Sequence, residues 1–247
     1  MEKGYKLPRF GADGEPGKET GNAMLRMIND FNADDDSDGI PASGPPSGGG
    51  TEDPARPLPQ PKIIVPRESN SELNKFYGTA RANPPEGYLS WFNFPVGDMK
   101  LFSRSGTDLK DYDGDGNDEH RCHSRIVESL EAALQDVYTT IGKDEFYRQG
   151  WHVYAGCWNY RAKRGGSSLS VHSWGCAVDI NPAQNNWKQY STSFSEDAFD
   201  AMERHGFLSA YRAWGHDAMH FQKCTFAYVK SNSHYGRNGY PSWIVEA

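Results

Sequence analysis

Apolar residues recur at helical spacing in three parts of this 247-residue chain. Near the amino terminus the spacing predicts one short amphipathic helix, built on Ala23, Met24, Met27, Ile28 and Phe31. A longer stripe predicts the main core-facing helix from about His120 to Ile141, built on Ile126, Leu130, Leu134, Val137 and Ile141. A third helix is expected from Asp197 to His205, where Gly206 is well placed to end it.

Alternating or aromatic-rich runs predict strands between these helices. The runs are residues 88–94, for which an ordered loop is the alternative to a strand, and residues 151–160, 177–180 and 221–229. In the third run Asp179 falls on one face of a short strand, while Val178 and Ile180 fall on the other and can enter the core. The chain is therefore expected to combine helices with short strands.

The first sixty residues differ in composition from the rest. They hold six basic and eleven acidic side chains and so carry most of the formal net charge of −7. Residues 1–40 predict a short leader, a docking arm or a small binding segment. Residues 41–62 are rich in Pro, Gly and Ser and predict a linker, because they bury too little apolar surface to offset chain ordering. A folded domain is expected over residues 63–247, with a capped helical turn beginning near Ser69.

Charge and hydropathy exclude several classes of function. The chain shows no basic stripe, so nucleic acid is not expected as a partner. No apolar run approaches the ~18 residues of a membrane span, and the amino terminus lacks the apolar stretch of a secretory signal, which predicts synthesis in a cytoplasm. The four cysteines show no Cys-x-x-Cys pairing, so free thiols are favoured over a zinc knuckle or disulfides.

The stretch from Ser170 to Pro182 carries the first half of a candidate zinc site. Imidazole and carboxylate are both zinc ligands, and His172 and Asp179 must come almost into contact to share one ion. The chain therefore has to reverse between them. Gly175 stands where the reversal is needed, because glycine takes positive φ freely and lets a neighbouring backbone come close.

The second half of the candidate site lies in residues 214–221. His220 supplies a third ligand, and Asp217, three residues earlier, can act as a general base if the segment makes a tight turn entering a strand. His216 is a rival ligand in the same stretch.

Together the two halves read Ser-x-His-x-x-Gly-x-Ala-x-Asp and, some forty residues later, Asp-x-x-His-Phe. This combination resembles the zinc D-alanyl-D-alanine carboxypeptidase and L-alanyl-D-glutamate endopeptidase family, which cuts peptidoglycan peptides and shares its fold with the hedgehog signalling domain. The resemblance covers about residues 70–230. It implies an α+β fold in which a small antiparallel sheet with flanking helices carries Zn²⁺.

The resemblance also implies roles for individual residues. The three zinc ligands are matched by His172, Asp179 and His220. Asp217 matches the catalytic base, Arg161 the arginine that holds the substrate carbonyl or stabilises the oxyanion, and Ser170 a residue that lines the substrate groove. One departure is Cys176, where an aliphatic residue is more usual; we expect it to pack as a small hydrophobe.

Relatives with the pattern Tyr-x-x-x-Arg-Gly-Gly are frequently phage endolysins or virion-associated lysins. The resemblance thus implies peptidoglycan peptides and, in the virion case, phage proteins as partners, with action on the cell wall after synthesis in the host cytoplasm. An alternative in another class is a non-catalytic wall-binding or structural virion component whose zinc only stabilises the fold. The presence of Asp217 and Arg161 argues against it, since a purely structural site needs no base.

An acidic run at residues 111–119 leaves two interpretations open. Oxygen ligands at alternate positions match the opening of a calcium loop, on Asp111, Asp113 and Asp115. The usual glutamate at the twelfth position is replaced by Cys122, so the alternative is an acidic turn that caps the following helix. Next to this run, His120 and His123 are expected as solvated or capping residues rather than a second metal pair.

Overall fold

The computed structural model describes residues 60–92, 95, 100–101 and 121–247, which belong to one compact unit, Pro57–Ala247. The predictions for the leader and its helix, for the linker up to residue 59, for His120 and for the calcium ligands Asp111, Asp113 and Asp115 lie outside these residues. The leader, linker and domain boundaries therefore stay predictions.

The described part of the chain alternates short strands with helices, as predicted. Its strands are β1 (Ile63–Val65), β2 (Leu89–Trp91), β3 (Lys100–Leu101), β4 (Arg121–His123), β5 (Val153–Tyr154), β6 (Ala177–Asp179), β7 (Leu208–Ser209), β8 (His220–Gln222) and β9 (Ile244–Glu246). Its helices are α1 (Asn70–Tyr77), α2 (Val127–Ile141), α3 (Lys143–Gln149), α4 (Pro182–Asn185), α5 (Glu196–Arg204), α6 (Ala210–Trp214) and α7 (His234–Asn238), with a 3-10 turn at Val171–Trp174.

The strands form small sheets rather than one large one. The three-stranded sheet has the order β6-β8-β7 and is antiparallel throughout. Three two-stranded pairs accompany it: β2 with β4 is antiparallel, whereas β1 with β9 and β3 with β5 are parallel. The predicted class, small sheets with flanking helices, is confirmed.

Two helices begin and end where local chemistry predicts. The hydroxyl of Ser69 accepts a hydrogen bond from the backbone N–H of Glu72 at 3.2 Å and caps α1. Helix α5 ends just before Gly206, whose φ of +85° is left-handed and whose N–H donates to the carbonyl of Glu203 at 3.0 Å. These boundaries follow from the cap residues themselves, so they were visible in the sequence.

The main helix begins later than the apolar stripe predicts. Helix α2 starts at Val127, because residues 121–123 instead form β4 and pair with β2, placing His123 opposite Leu89. Cys122 and Ile126 are both fully buried, and a strand followed by a turn satisfies that spacing as well as a helix does. His123 was expected to be solvated or to cap the helix; it is buried, and its ring contacts the carbonyl of Tyr77 at 2.8 Å.

Two predicted strands are much shorter than expected. Within residues 151–160 only Val153–Tyr154 forms a strand. Of the strand predicted over residues 221–229, only Phe221 and Gln222 belong to β8, which begins one residue earlier at His220. Beyond β5 the chain still follows β6, but through separate bonds: Ala155 N–H donates to the carbonyl of Asp179 at 2.8 Å, and Asp179 N–H to that of Gly156 at 3.0 Å. The alternating residues therefore do follow β6, but they do not form a continuous ladder of backbone hydrogen bonds.

The core packs beneath the three-stranded sheet and between α2 and α5. Its largest fully buried side chains are aromatic and aliphatic, namely Trp151, Trp174, Tyr154, Phe146, Phe199, Phe207, Phe221, Leu73, Ile126, Leu130, Leu134 and Ile180. Cys176 is also fully buried, as expected of a small hydrophobe, and all four cysteines are free thiols. No helix of the described residues is long and apolar enough to cross a membrane.

The last seventeen residues pack onto the domain. Strand β9 pairs with β1, and Tyr235 of α7 is buried. The Tyr235 hydroxyl donates to Glu203 and accepts from the N–H of Ser209 at 3.0 Å. Glu203 also forms a buried ion pair with Arg212 at 2.8 Å. The tail thus closes a polar cluster that joins α5, α6 and α7.

Gly175 is expected to be intolerant of any side chain. Its φ is +66°, and an added Cβ would lie 2.7 Å from the backbone nitrogen of His123. Gly175→Ala should therefore lower the free energy of unfolding by about 2–5 kcal/mol, the sum of left-handed strain and overpacking. Urea denaturation of purified protein measures this loss.

The matched control is Gly165→Ala, where φ is +73° and an added Cβ meets nothing within 4 Å. It should cost only the conformational part, about 1–2 kcal/mol. Equal losses for both variants would show that the close approach to His123 is unimportant.

Candidate metal centre

Strand register places two of the predicted ligands. In the antiparallel pair of β6 and β8, Asp179 lies directly opposite His220. Directly opposed residues project from the same face, with Cβ atoms ~4.5–5.5 Å apart. The pairing therefore brings a carboxylate and an imidazole together from parts of the chain that are 41 residues apart.

A capped turn places the third ligand, His172. The hydroxyl of Ser170 accepts from the backbone N–H of His172 at 3.4 Å, which starts the 3-10 turn. Gly175 ends the turn in a left-handed conformation and donates its N–H to the carbonyl of His172 at 2.9 Å. The reversal predicted at Gly175 is thus confirmed, and so is the close approach of another backbone strand.

The three side chains converge on one point. The Asp179 Oδ1 atom lies 3.1 Å from His220 Nδ1 and 3.4 Å from His172 Nε2, and the two ring nitrogens are 3.2 Å apart. Tetrahedral ligands held ~2.0–2.2 Å from a zinc ion are about 3.3–3.6 Å from one another. The spacing and the donor types therefore fit a metal ion. Among the described residues, His172, Asp179 and His220 form a group of ligand side chains close enough together to hold a metal ion.

Hydrogen bonds set the tautomer of each histidine. His172 Nδ1 lies 2.6 Å from the carbonyl oxygen of Cys157, which can only accept, so Nδ1 carries the proton and Nε2 keeps its lone pair. The Gln222 side-chain oxygen lies 3.1 Å from His220 Nε2 and accepts a hydrogen bond from it, so His220 Nδ1 is the nitrogen that can bind a metal ion. When both rings are neutral, these tautomers direct one lone pair of each into the cluster, as metal ligation requires.

The amide of Gln222 is itself held from behind. Its Nε2 donates to the carbonyl of Cys224 at 3.3 Å and to a Glu68 carboxylate oxygen at 3.4 Å, so its oxygen has to face His220. Glu68 also accepts from the ammonium of Lys163 at 2.5 Å. The sequence does not predict this chain of contacts. Gln222 had a local signal, since it follows His220 by two residues on the same strand face, whereas Glu68 had none.

The ligands are electrostatically coupled. Burial alone would raise the pKa of Asp179, but the neighbouring imidazoles of His172 and His220 hold it well below its usual range. Burial opposes protonation of His220, but hydrogen bonding and charge from Asp179 raise its pKa to about 9. Without an ion, the ionised Asp179 therefore favours a protonated His220, and a metal ion that binds here at neutral pH has to displace that proton.

Asp217 lies in the turn before β8, beside the cluster. Its carbonyl accepts from the backbone N–H of His220 at 3.1 Å, which confirms the predicted tight turn, and its φ of +62° is left-handed. One carboxylate oxygen, Oδ1, is buried without a hydrogen-bond partner in the described part of the structure. Burial raises the pKa of Asp217 to about 6, with His220, Arg164 and Arg161 acting in the opposite direction.

One cleft of about 900 Å³ contains the cluster and the other predicted residues. Its lining includes the ligands, Asp217, Arg161 and Ser170. The Arg161 side chain donates to the carbonyl of Ala162 at 3.3 Å and has no carboxylate ion pair among the described residues. Ser170 is buried, with its hydroxyl used in the turn. The rival ligand His216 is not part of the cluster and instead contacts the rings of Tyr190 and Trp214.

Comparison with known proteins supports the resemblance over part of the chain. The D-alanyl-D-alanine carboxypeptidase family model matches residues 164–223. That region includes the three clustered ligands and Asp217, whereas Arg161 precedes it. Searches of curated proteins and of solved structures found no significant match. A peptidase domain is thus supported for the part of the chain that carries the site.

The cluster is expected to bind one divalent transition-metal ion per chain, because three donor atoms with oriented lone pairs converge there. His172→Ala removes one donor and should abolish binding, measured as metal content after dialysis against zinc. His216→Ala is the control and should retain the ion. The reverse result would show that the rival histidine is the ligand.

Gln222→Ala should weaken metal affinity by about 10–100-fold, because His220 then loses the acceptor that sets its tautomer and ring orientation. Competition with a chromophoric chelator measures the affinity. The surface variant Gln135→Ala, in which an exposed glutamine of α2 is truncated, should leave it unchanged. If Gln222→Ala also leaves it unchanged, the amide does not orient the ligand.

Proposed function

We propose that this protein hydrolyses peptide bonds in bacterial peptidoglycan with Zn²⁺ as cofactor. The observation that carries the proposal is the placement of three converging donor atoms and an unpartnered carboxylate oxygen in one open cleft. In a purely structural zinc site, protein atoms occupy all four coordination positions of the metal. Here three ligands leave a position for water or substrate.

Zinc fits the residues present. His172, Asp179 and His220 would hold the ion through two nitrogens and one oxygen, a common donor set for a catalytic zinc. When bound, the ion supplies a Lewis acid that polarises the scissile carbonyl and makes water a better nucleophile at neutral pH.

Asp217 is assigned the proton transfers. Its carboxylate takes the proton of the attacking water and then delivers it to the nitrogen of the leaving amine. Its Oδ1 makes no hydrogen bond to the described protein groups. Its pKa is raised to about 6, which suits a carboxyl group that has to accept and then donate a proton near neutral pH. The constrained turn at Asp217 keeps the carboxylate beside the ligands.

Arg161 is assigned to the developing negative charge. It lines the same cleft, and its lack of a carboxylate ion pair in the described residues leaves the cation available to a substrate oxygen. A fixed cation aimed at the carbonyl oxygen stabilises the transition state more than the ground state. Ser170 then contributes to the groove mainly by holding the turn that presents His172.

The substrate class follows from the family match and from the motifs. We propose cleavage of the L-alanyl-D-glutamate bond or a D,D-carboxypeptidase or endopeptidase reaction, performed by a phage lysin that works free at lysis or on the virion. The match to the carboxypeptidase family and the Tyr-x-x-x-Arg-Gly-Gly pattern at residues 160–166 support this assignment. Calcium is not required for the chemistry described above.

Asp217→Asn should lower turnover by about 10²–10⁴-fold while metal content stays the same, because the base is lost and the ligands are not. Asparagine also tolerates the left-handed backbone at this position, so the fold should be retained. Mass spectrometry of purified peptidoglycan after digestion measures the new amino termini and identifies the bond.

Metal-stripped protein and metal-stripped protein reloaded with zinc serve as controls in the same digest. Full turnover by Asp217→Asn would remove Asp217 from the mechanism. If zinc-loaded wild type binds the wall and releases no new amino terminus, the non-catalytic alternative is the correct one.

A further inference from the structure

Four aromatic side chains, three exposed and one half-buried (Trp214), lie at or next to the cleft. We call Trp187, Tyr190, Trp214 and Tyr228 the aromatic rim. Trp187, Trp214 and Tyr228 line the cleft that contains the metal cluster. Large fractions of the side chains face solvent: 42% of Trp187, 76% of Tyr190 and 67% of Tyr228.

Direct contacts link three of the four rim residues. The ring of His216 lies between Tyr190 and Trp214, with centroid distances of 5.6 Å and 5.8 Å. The indole N–H of Trp214 donates to the carbonyl of Tyr228 at 2.8 Å. Behind it, the Trp214 ring packs edge-on against Phe226 at 5.0 Å. These contacts hold the Trp214 ring and the backbone of Tyr228 in place before any ligand arrives.

Exposed aromatic surface beside a cleft indicates a binding site. Contiguous exposed apolar surface in a soluble protein commonly marks a binding site, whereas scattered single residues do not. Other exposed large hydrophobic residues of the described chain include Trp91 on β2, which does not line the cleft. The rim differs from it because Trp187, Trp214 and Tyr228 all line the one cleft that contains the candidate site.

The chemistry of the proposed substrate indicates which part of it can bind the aromatic rim. This step rests on the proposed function. The bonds named above join alanine and glutamate residues, whose side chains are a methyl group and a carboxylate. Neither presents an apolar face as large as an aromatic ring. The N-acetylated amino sugars of the glycan strand do, because one face of the pyranose ring exposes only C–H groups while its hydroxyls point outward around the edge.

We propose that the aromatic rim binds sugar rings of the peptidoglycan glycan strand and so selects peptides that are still attached to it. The rim has polar groups to complement the sugar hydroxyls. The Lys188 ammonium lies 5.7 Å from the centre of the Trp187 ring, and Tyr190 and Tyr228 carry hydroxyls at exposed positions. Stacking on a rigid ring and hydrogen bonding at its edge suit a sugar.

The proposal predicts a preference that free peptides do not reveal. The substrates are one synthetic stem peptide and the same peptide linked to a disaccharide of N-acetylated amino sugars. Wild type should have the higher kcat/KM on the glycan-linked form. Trp187→Ala and Tyr228→Ala should each reduce the ratio of the two values by about three- to tenfold, mainly through KM.

Trp91→Ala is the matched control, since this ring is 59% exposed and lies outside the cleft lining. It should leave the ratio unchanged. Equal losses on both substrates in the rim variants would assign the rim to the peptide and overturn the proposal. Equal kcat/KM of wild type on both substrates would also overturn it.

A binding measurement separates this proposal from the proposed function. Zinc-loaded wild type should bind peptide-free β-1,4-linked N-acetylglucosamine oligomers, and Tyr228→Ala should bind them about three- to tenfold more weakly. Binding with this loss, but without cleavage of any peptide, would retain the rim and reject the peptidase. Cleavage without oligomer binding would retain the peptidase and reject the rim.

Discussion

The pairing of β6 with β8 is the constraint on which the candidate site depends. Asp179 faces His220 only because Val178 pairs with Phe221 in the same register. A slip by one residue would turn the carboxylate toward the core and an aliphatic side chain toward the cleft. Val178 and Phe221 are fully buried, and burying each such side chain is worth about 1.5–3 kcal/mol. Ordinary core packing thus sets the position of two side chains of the candidate metal centre.

Hydrogen bonds from other residues then orient the two imidazole rings. The carbonyl of Cys157 and the amide of Gln222 each hold one imidazole, so that the free lone pairs meet at Asp179. Gln222 is oriented in turn by Glu68, from the segment between β1 and α1. The site is consequently tied to parts of the domain that contribute no ligand. Losing one of these contacts should loosen the site without unfolding the protein.

Asp217 stands apart from this pattern of satisfied polar groups. A left-handed backbone and a buried oxygen without a partner are each unfavourable, by about 1–3 kcal/mol. The role proposed for Asp217, a proton acceptor beside the candidate metal centre, would give the free oxygen a use that offsets this cost. The aromatic rim poses the same question on a larger scale, since Trp187 and Tyr228 line the cleft while large parts of both side chains remain exposed to solvent.

The sequence alone determined the features that depend on neighbouring residues. These include the cap at Ser69, the end of α5 at Gly206, the reversal at Gly175 and the chemical identity of the residues that cluster. It misplaced the start of α2 and the lengths of two strands, because apolar spacing does not distinguish a turn of helix from a strand that ends in a turn. Only the tertiary structure decided which histidine joins Asp179, how each imidazole is oriented and which rings border the cleft. Those properties arise from contacts between distant segments, and such contacts have no local signature in the chain.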